Sequence, residues 1–121
     1  AISIVASTTT PQAEGSAQRC RLSVPRLPME FTGTGDLFAA LLLAWTYEHP
    51  SQLSLAIENT VGGIQGVLAK THERYEERRA AAGGELASGP DEVFSRELQL
   101  VQSRDSLLSP PTPAHRAVDI L

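Results

Sequence analysis

Apolar and polar positions alternate most cleanly at residues 19–24, where Cys20, Leu22 and Val24 are interleaved with Arg19, Arg21 and Ser23. A period of two marks a half-buried strand. Pro25 and Pro28 end it, since neither supplies the N–H that a ladder requires. Upstream, Ile2, Ile4 and Val5 run into Ser7-Thr8-Thr9-Thr10-Pro11, which predicts a short buried strand breaking into a polar loop. Residues 12–18, small and polar, continue that loop over the surface. From Leu37 to Trp45 the chain is apolar without a break. This predicts a helix from about Asp36 to Glu48, buried nearly all round and stopped by His49-Pro50.

Leu53, Ile57, Val61, Ile64 and Leu68 step by four, four, three and four, one stripe on a second helix that starts after Ser51 or Ser54. Gly62, Gly63 and Gly66 interrupt it. Each costs roughly 1 kcal/mol relative to Ala, so close packing against a neighbour or a ligand is expected there. Ala80-Ala81-Ala82-Gly83-Gly84 closes the helix. Glu85 to Glu92 reads as a loop. Residues 93–108 fit a helix through Phe94, Leu98 and Val101, or a strand through Leu98 and Leu100. Ser109-Pro110-Pro111-Thr112-Pro113 reads as a flexible tail, after which Ala117 to Leu121 either docks again or frays.

Alternating strands and helices predict an α/β fold, with 1–108 as the folded portion and 109–121 as a Pro-rich tail and C-terminus. Two or three strands and two main helices cannot complete a doubly wound sheet, so the fold is expected to be incomplete. The opening run Ala1-Ile2-Ser3-Ile4-Val5-Ala6, strand-like and without Met or leader, points the same way: a chain cut from something longer, or a processed end.

Charge and composition remove several classes. Lys and Arg total 10 against 14 acidic residues, a formal net charge of −4, which does not favour nucleic acid. Arg74, Arg78 and Arg79 are the closest basic cluster. Glu73, Glu76 and Glu77 are interleaved with them, the pattern of a solvated helix face. The nine-residue apolar run Leu37–Trp45 falls short of the roughly 20 residues of a membrane span. Trp45 and Phe38 on it read as core. Cys20 stands alone, which excludes an internal disulfide and reads as a small apolar residue in a strand. The cytosol is the default compartment. His49, His72 and His115 are far apart with no carboxylate at ligand spacing, so no metal site is expected among them. Glu14 and Asp91-Glu92 read as loop charge.

One constellation carries chemistry: Gly33-Thr34-Gly35-Asp36 running into Leu37-Phe38-Ala39-Ala40. Two glycines let the backbone approach a ligand closely, and the helix that follows offers unpartnered N–H groups and the positive end of its dipole. Together they form a cradle for anionic oxygens. An aspartate at its mouth can take a proton from an attacking hydroxyl, and phosphoryl transfer asks for little more than positioning, charge stabilisation and one such base. The plainer alternative is a tight turn with Asp36 as a helix cap. A P-loop is excluded because no Gly-Lys-Ser/Thr follows, and a dinucleotide fingerprint because Phe38 stands at its third glycine.

The block Gly33-Thr34-Gly35-Asp36-Leu37-Phe38-Ala39-Ala40-Leu41-Leu42-Leu43-Ala44-Trp45-Thr46 resembles the signature helix of eukaryotic pyridoxal kinases, members of the ribokinase-like superfamily. His49-Pro50 and Glu97-Leu98-Gln99-Leu100-Val101-Gln102-Ser103 are similar to the same family's C-terminal region. The resemblance implies the C-terminal part of a three-layer α/β/α fold, with the N-terminal half holding the vitamin pocket and much of the Mg-ATP site. It implies ATP-dependent phosphorylation of the 5′-hydroxymethyl group of pyridoxal, pyridoxine and pyridoxamine, with Mg²⁺ and a monovalent cation (K⁺), in a cytoplasmic enzyme that is a homodimer as the whole protein. Asp36 matches the catalytic base, and Gly33, Thr34 and Gly35 match the anion hole. Ser7 matches a serine at a strand end near the ATP phosphates, although Ala6 stands where the family has a threonine. Leu27 and Phe31 match the loop over the nucleotide, with packing around the turn as the alternative. The helix from Val61 to Leu68 would lie beside the adenine. The alternatives in function are a hydroxymethylpyrimidine kinase of nearly the same chemistry, and a non-catalytic truncated product.

Overall fold

A computed structural model describes residues 2–8, 18–26, 31–84, 97–111 and 116–120. In chain order they form β1 (Ile2–Thr8), β2 (Gln18–Val24), α1 (Thr34–Glu48), α2 (Leu53–Ala81), the short α3 (Arg104–Leu108) and β3 (Val118–Asp119). The strands make one antiparallel sheet in the order β1-β2-β3, with Ile2 opposite Val24 and Thr8 opposite Gln18.

The period-two pattern of β2 holds. Cys20, Leu22 and Val24 are buried and the residues between them exposed, as the central strand of a sheet covered on one face requires. Leu53, Ile57 and Val61 of α2 complete that core, so the helix stripe predicted from sequence is the face that meets the sheet. Gln18, at the start of β2, fixes the helix end. Its Oε1 accepts from the Leu53 N–H at 2.9 Å, and its Nε2 donates to the Ser51 carbonyl at 2.7 Å. An otherwise orphaned N–H of the first turn is thus satisfied from a neighbouring strand.

Two expectations are corrected by exposure. β1 is not a buried strand: no residue of it is buried, and Val5 is 65% exposed. Ile4 and Ala6 pack on the core while Val5 faces away, because successive side chains of a strand point to opposite faces. The strand also runs through Ser7 and Thr8 before it ends. Likewise α1 is not buried all round. Phe38 and Leu42 pack on the core, but the helix has no buried residue, and Leu43 and Tyr47 are 73% and 83% exposed. The described residues cover α1 on one side only.

The glycines do not interrupt α2, which runs unbroken for 29 residues. They admit a neighbour. A Cβ at Gly62 would collide with the Pro111 carbonyl oxygen, one at Gly66 would collide with Ser106, and one at Gly63 would lie 3.4 Å from Leu41 Cδ1. Residues 103–111 therefore lie along α2, and Pro110-Pro111 is not a free tail. Residues 97–108 are neither one helix nor one strand. Glu97 forms a parallel bridge with Thr32, a turn follows, and α3 closes the stretch. Phe94, the expected loop at 85–92 with its acidic pair, Glu14 and His115 lie outside the described residues.

After that strap the chain docks again. Val118–Asp119 pairs with β2, and the Ile120 N–H donates to the Arg19 carbonyl at 2.9 Å. Glu58, buried on α2, holds this return: Arg116 Nε and the Ala117 N–H both donate to its Oε1 at 2.9 Å. Burial alone would push the Glu58 carboxyl up. The Arg116 hydrogen bond, the Ala117 N–H and the Arg116 charge outweigh it and hold the group below its usual range. Farther along α2, Lys70–Glu73, Arg74–Glu77 and Arg79–Glu76 form exposed pairs one turn apart. That is the solvated face the interleaved charges predict.

Candidate active site

The turn before α1 has the backbone that its sequence requires. Gly33 takes φ 89° and ψ 6°, a left-handed conformation open to glycine at little cost. The first helical bond runs from the Leu37 N–H to the Gly33 carbonyl at 3.1 Å. The N–H groups of Thr34, Gly35 and Asp36 precede it and have no helical acceptor. No side chain caps the helix, so Asp36 does not serve as a helix cap. Asp36 is exposed, and its carboxylate has no hydrogen-bond or ion-pair partner among the described residues.

The second glycine is informative by contrast with the first. A Cβ at Gly35 would meet nothing within 4 Å, and its φ is not positive. Neither packing nor backbone conformation demands glycine there. What a side chain would occupy is the open space over the helix start. Gly33, for its part, is backed by Leu98, whose Cδ1 is 3.8 Å from where a Cβ would sit. The turn thus rests on the downstream block, through Thr32–Glu97 pairing and Leu98 packing. That block is fastened to α2, since the Gln99 N–H donates to the buried Thr71 hydroxyl at 3.0 Å.

Beside the turn lies a cavity of about 800 Å³, bounded by Ile2, Ile4, Val24 and Pro25 of the sheet side, Phe31, Thr34, Gly35 and Phe38 of the turn and α1, and Val61, Ile64, Gln65 and Leu68 of α2, with Arg26 at its edge. The structure therefore brings Phe31, Thr34 and Gly35 together with the glycine-bearing helix. Asp36 is next to this group but on the exposed side of α1. Leu27 lies outside the described residues. Ser7 is not brought to the turn. It lines a second cavity, of about 850 Å³, with Thr46, Tyr47 and His49 at the other end of α1. Five rises along the strand, roughly 17 Å in all, separate it from Ile2. Two cavity residues were not singled out from the sequence, Arg26 and Gln65. Gln65 stands four after Val61 and three before Leu68, on the flank of the apolar stripe, which is the one signal that marks it.

The sequence matches no family model. It is 39% identical over 103 residues to pyridoxal kinase of Sus scrofa, covering 85% of this chain and 30% of that protein. It is 33% identical over 93 residues to pyridoxal kinase of Arabidopsis thaliana, covering 77% and 27%. Among solved structures, the pyridoxal kinase of Leishmania donovani in complex with ADP and pyridoxine superposes with a TM-score of 0.69 at 27% identity, over 98% of this chain and 34% of that one. The pyridoxal kinase of Trypanosoma brucei gives 0.65 at 27% identity, over 98% and 34%. The chain thus spans 27–34% of the length of these relatives. With one fold shared over nearly all of its residues and identity that persists from animal to plant sequences, the chain belongs to the pyridoxal kinase family and carries the C-terminal portion of its ribokinase-like α/β fold.

Proposed function

We propose that this chain supplies the anion hole and the catalytic base for ATP-dependent phosphorylation of the 5′-hydroxymethyl group of pyridoxal, and of pyridoxine and pyridoxamine. The observation that carries the reading is the start of α1, where three N–H groups without helical acceptors adjoin an exposed carboxylate that no described residue engages. The names of the relatives support the substrate class, as do related kinases solved with ADP and pyridoxine or pyridoxamine.

In this reading the Asp36 carboxylate takes the hydroxyl proton as the hydroxymethyl oxygen attacks the γ-phosphorus. The bond from the γ-phosphorus to the bridging oxygen breaks, and ADP leaves. The anion hole of Gly33, Thr34 and Gly35, in which the Thr34 and Gly35 N–H groups have no helical acceptor, faces the charge that spreads over the γ-phosphoryl oxygens. Donors of this kind contribute on the order of 10²–10³ in rate each. The adenine and ribose lie in the cavity between Phe31 and the Val61–Leu68 face, and the vitamin approaches from the exposed side of α1, on which Asp36 stands. A Mg²⁺ accompanying the triphosphate would be held by phosphate oxygens, with the Asp36 carboxylate at the turn as its protein partner. The ion would offset triphosphate charge. No described residue is assigned to K⁺. Ser7, at the far end of α1, has no part in this arrangement.

The test is a chimera in which this sequence replaces the matching stretch of the Sus scrofa enzyme. Pyridoxal 5′-phosphate formation is expected from the chimera. Asp36→Asn should lower kcat by about 10²–10⁴ with ATP binding retained. A chimera that folds yet makes no product, or an Asn variant that works as well, refutes the assignment. The 121-residue chain alone is expected to give no turnover, because no vitamin pocket is proposed within it.

A further inference from the structure

We propose that Gln65 reads the edge of the nucleotide base, and that its carboxamide, which no described residue fixes, lets the site accept guanine as well as adenine nucleotides. The inference rests on the nucleotide reading of the cavity given above and adds to it the residue that sets base preference.

The cavity walls are mostly apolar, as a flat heterocycle needs on its two faces. Three lining side chains are polar: Arg26, Thr34 and Gln65. Thr34 is in the first turn of α1, where the phosphates belong. Arg26 is a cation and suits anionic oxygens. Gln65 is the remaining polar group suited to a neutral ring edge. It projects from the same face of α2 as Val61, Ile64 and Leu68, at the helical spacing that puts residues three and four apart side by side. Gln65 is half-buried, and its carboxamide has no hydrogen-bond partner among the described residues.

A carboxamide offers two donors on nitrogen and an acceptor on oxygen. Adenine presents a ring-nitrogen acceptor beside an amino donor on its Watson–Crick edge, and guanine presents a carbonyl acceptor beside a ring N–H donor. Turned one way, the Gln65 side chain pairs with adenine. Turned over, it pairs with guanine. A carboxamide held by a neighbour would be fixed in one orientation and would select one base, whereas no described residue holds Gln65. A glutamate has no donor to offer. It would still accept from the ring N–H and amino group of guanine, but would set a lone pair against the ring nitrogen of adenine.

The experiment measures ATP and GTP dissociation constants by equilibrium dialysis on the full chain, and nucleotide KM values in the chimera, for wild type, Gln65→Glu and Gln65→Leu. Wild type is expected to hold the two nucleotides within about tenfold of each other, a difference of about 1.4 kcal/mol. Gln65→Glu should shift the preference towards GTP by at least about tenfold, and Gln65→Leu should weaken both without changing their ratio. A ratio unmoved by Gln65→Glu, in a variant whose circular dichroism and melting match wild type, overturns the base-reading role. A wild type that favours one nucleotide by more than about a hundredfold overturns the dual use. If wild type takes up neither nucleotide in dialysis or in the chimera, the nucleotide reading itself falls, an outcome distinct from the other two.

Discussion

Gly35 and Gly33 have different reasons to be glycine, and substitution separates them. At Gly35 the φ is not positive and the space is open, so Gly35→Ala, in the first turn of α1, should raise stability by less than the roughly 1 kcal/mol of a helix interior. It should also depress phosphoryl transfer, because the new methyl group enters the proposed anion site. Thermal melting and chimera kinetics would check the opposing signs. Glu58 gives a pH-dependent result. Its folded pKa lies below the ordinary value of 4.5, so its contribution is fully present above that value and is lost as pH falls through the lower, folded one. A glutamine side chain lacks the charge that Arg116 meets. Glu58→Gln should therefore cost about 1–2 kcal/mol at neutral pH, with the deficit shrinking in denaturation curves taken below about pH 4.5. Of these residues, the turn was legible from sequence, since Gly-x-Gly-Asp before an apolar run can be read locally. Glu58, Arg26 and Gln65 were not, because their roles depend on neighbours distant in sequence.

At the scale of elements, β2 and α2 were readable because each turns one face to the same core and so keeps a clean period. β1 departs from its expected burial because Ile4 and Val5 are adjacent: in an extended strand they point to opposite faces, and only Ile4 finds the core. The glycines of α2 announced a close approach without naming the partner, which is the 103–111 strap. Gly62→Ala should dislodge that strap, since the new Cβ meets the Pro111 carbonyl in backbone rather than in a flexible side chain. The expected loss is about 1–3 kcal/mol, typical of overpacking, with amide exchange rising at residues 103–109 and at Ile120 while the centre of α2 stays protected. An unchanged melting temperature would mean that the strap can shift at no cost.

The whole molecule shows a sheet edge at β1 and an apolar side of α1 that no described residue covers, in a chain about a third the length of the relatives it matches. Sequence showed that α1 is apolar nearly all round; how much of it is covered depends on what surrounds it, which a single helix cannot report. Open edges and large apolar patches promote self-association. The isolated chain is therefore expected to scatter light at micromolar concentration. Leu43→Glu with Tyr47→Lys should reduce that scattering and leave the melting temperature within about 0.5 kcal/mol equivalent, as surface substitutions usually do. Persistent association in the double variant would place the sticky surface elsewhere.

The return of β3 to β2 bears on the order of events during synthesis. Cys20 pairs with Asp119, and Arg19 accepts from Ile120, so one edge of β2 finds its partner only among residues translated long after it. The β1–β2 hairpin and the α1–α2 pair can form while the chain is still growing. The β2 edge that β3 covers, and the Glu58 carboxylate that Arg116 satisfies, must wait until the ribosome has finished with those residues. A stalled nascent chain lacking the stretch from Arg116 onward would present an unpaired strand edge beside an acid without its Arg116 partner, a state that a chaperone or protease can recognise.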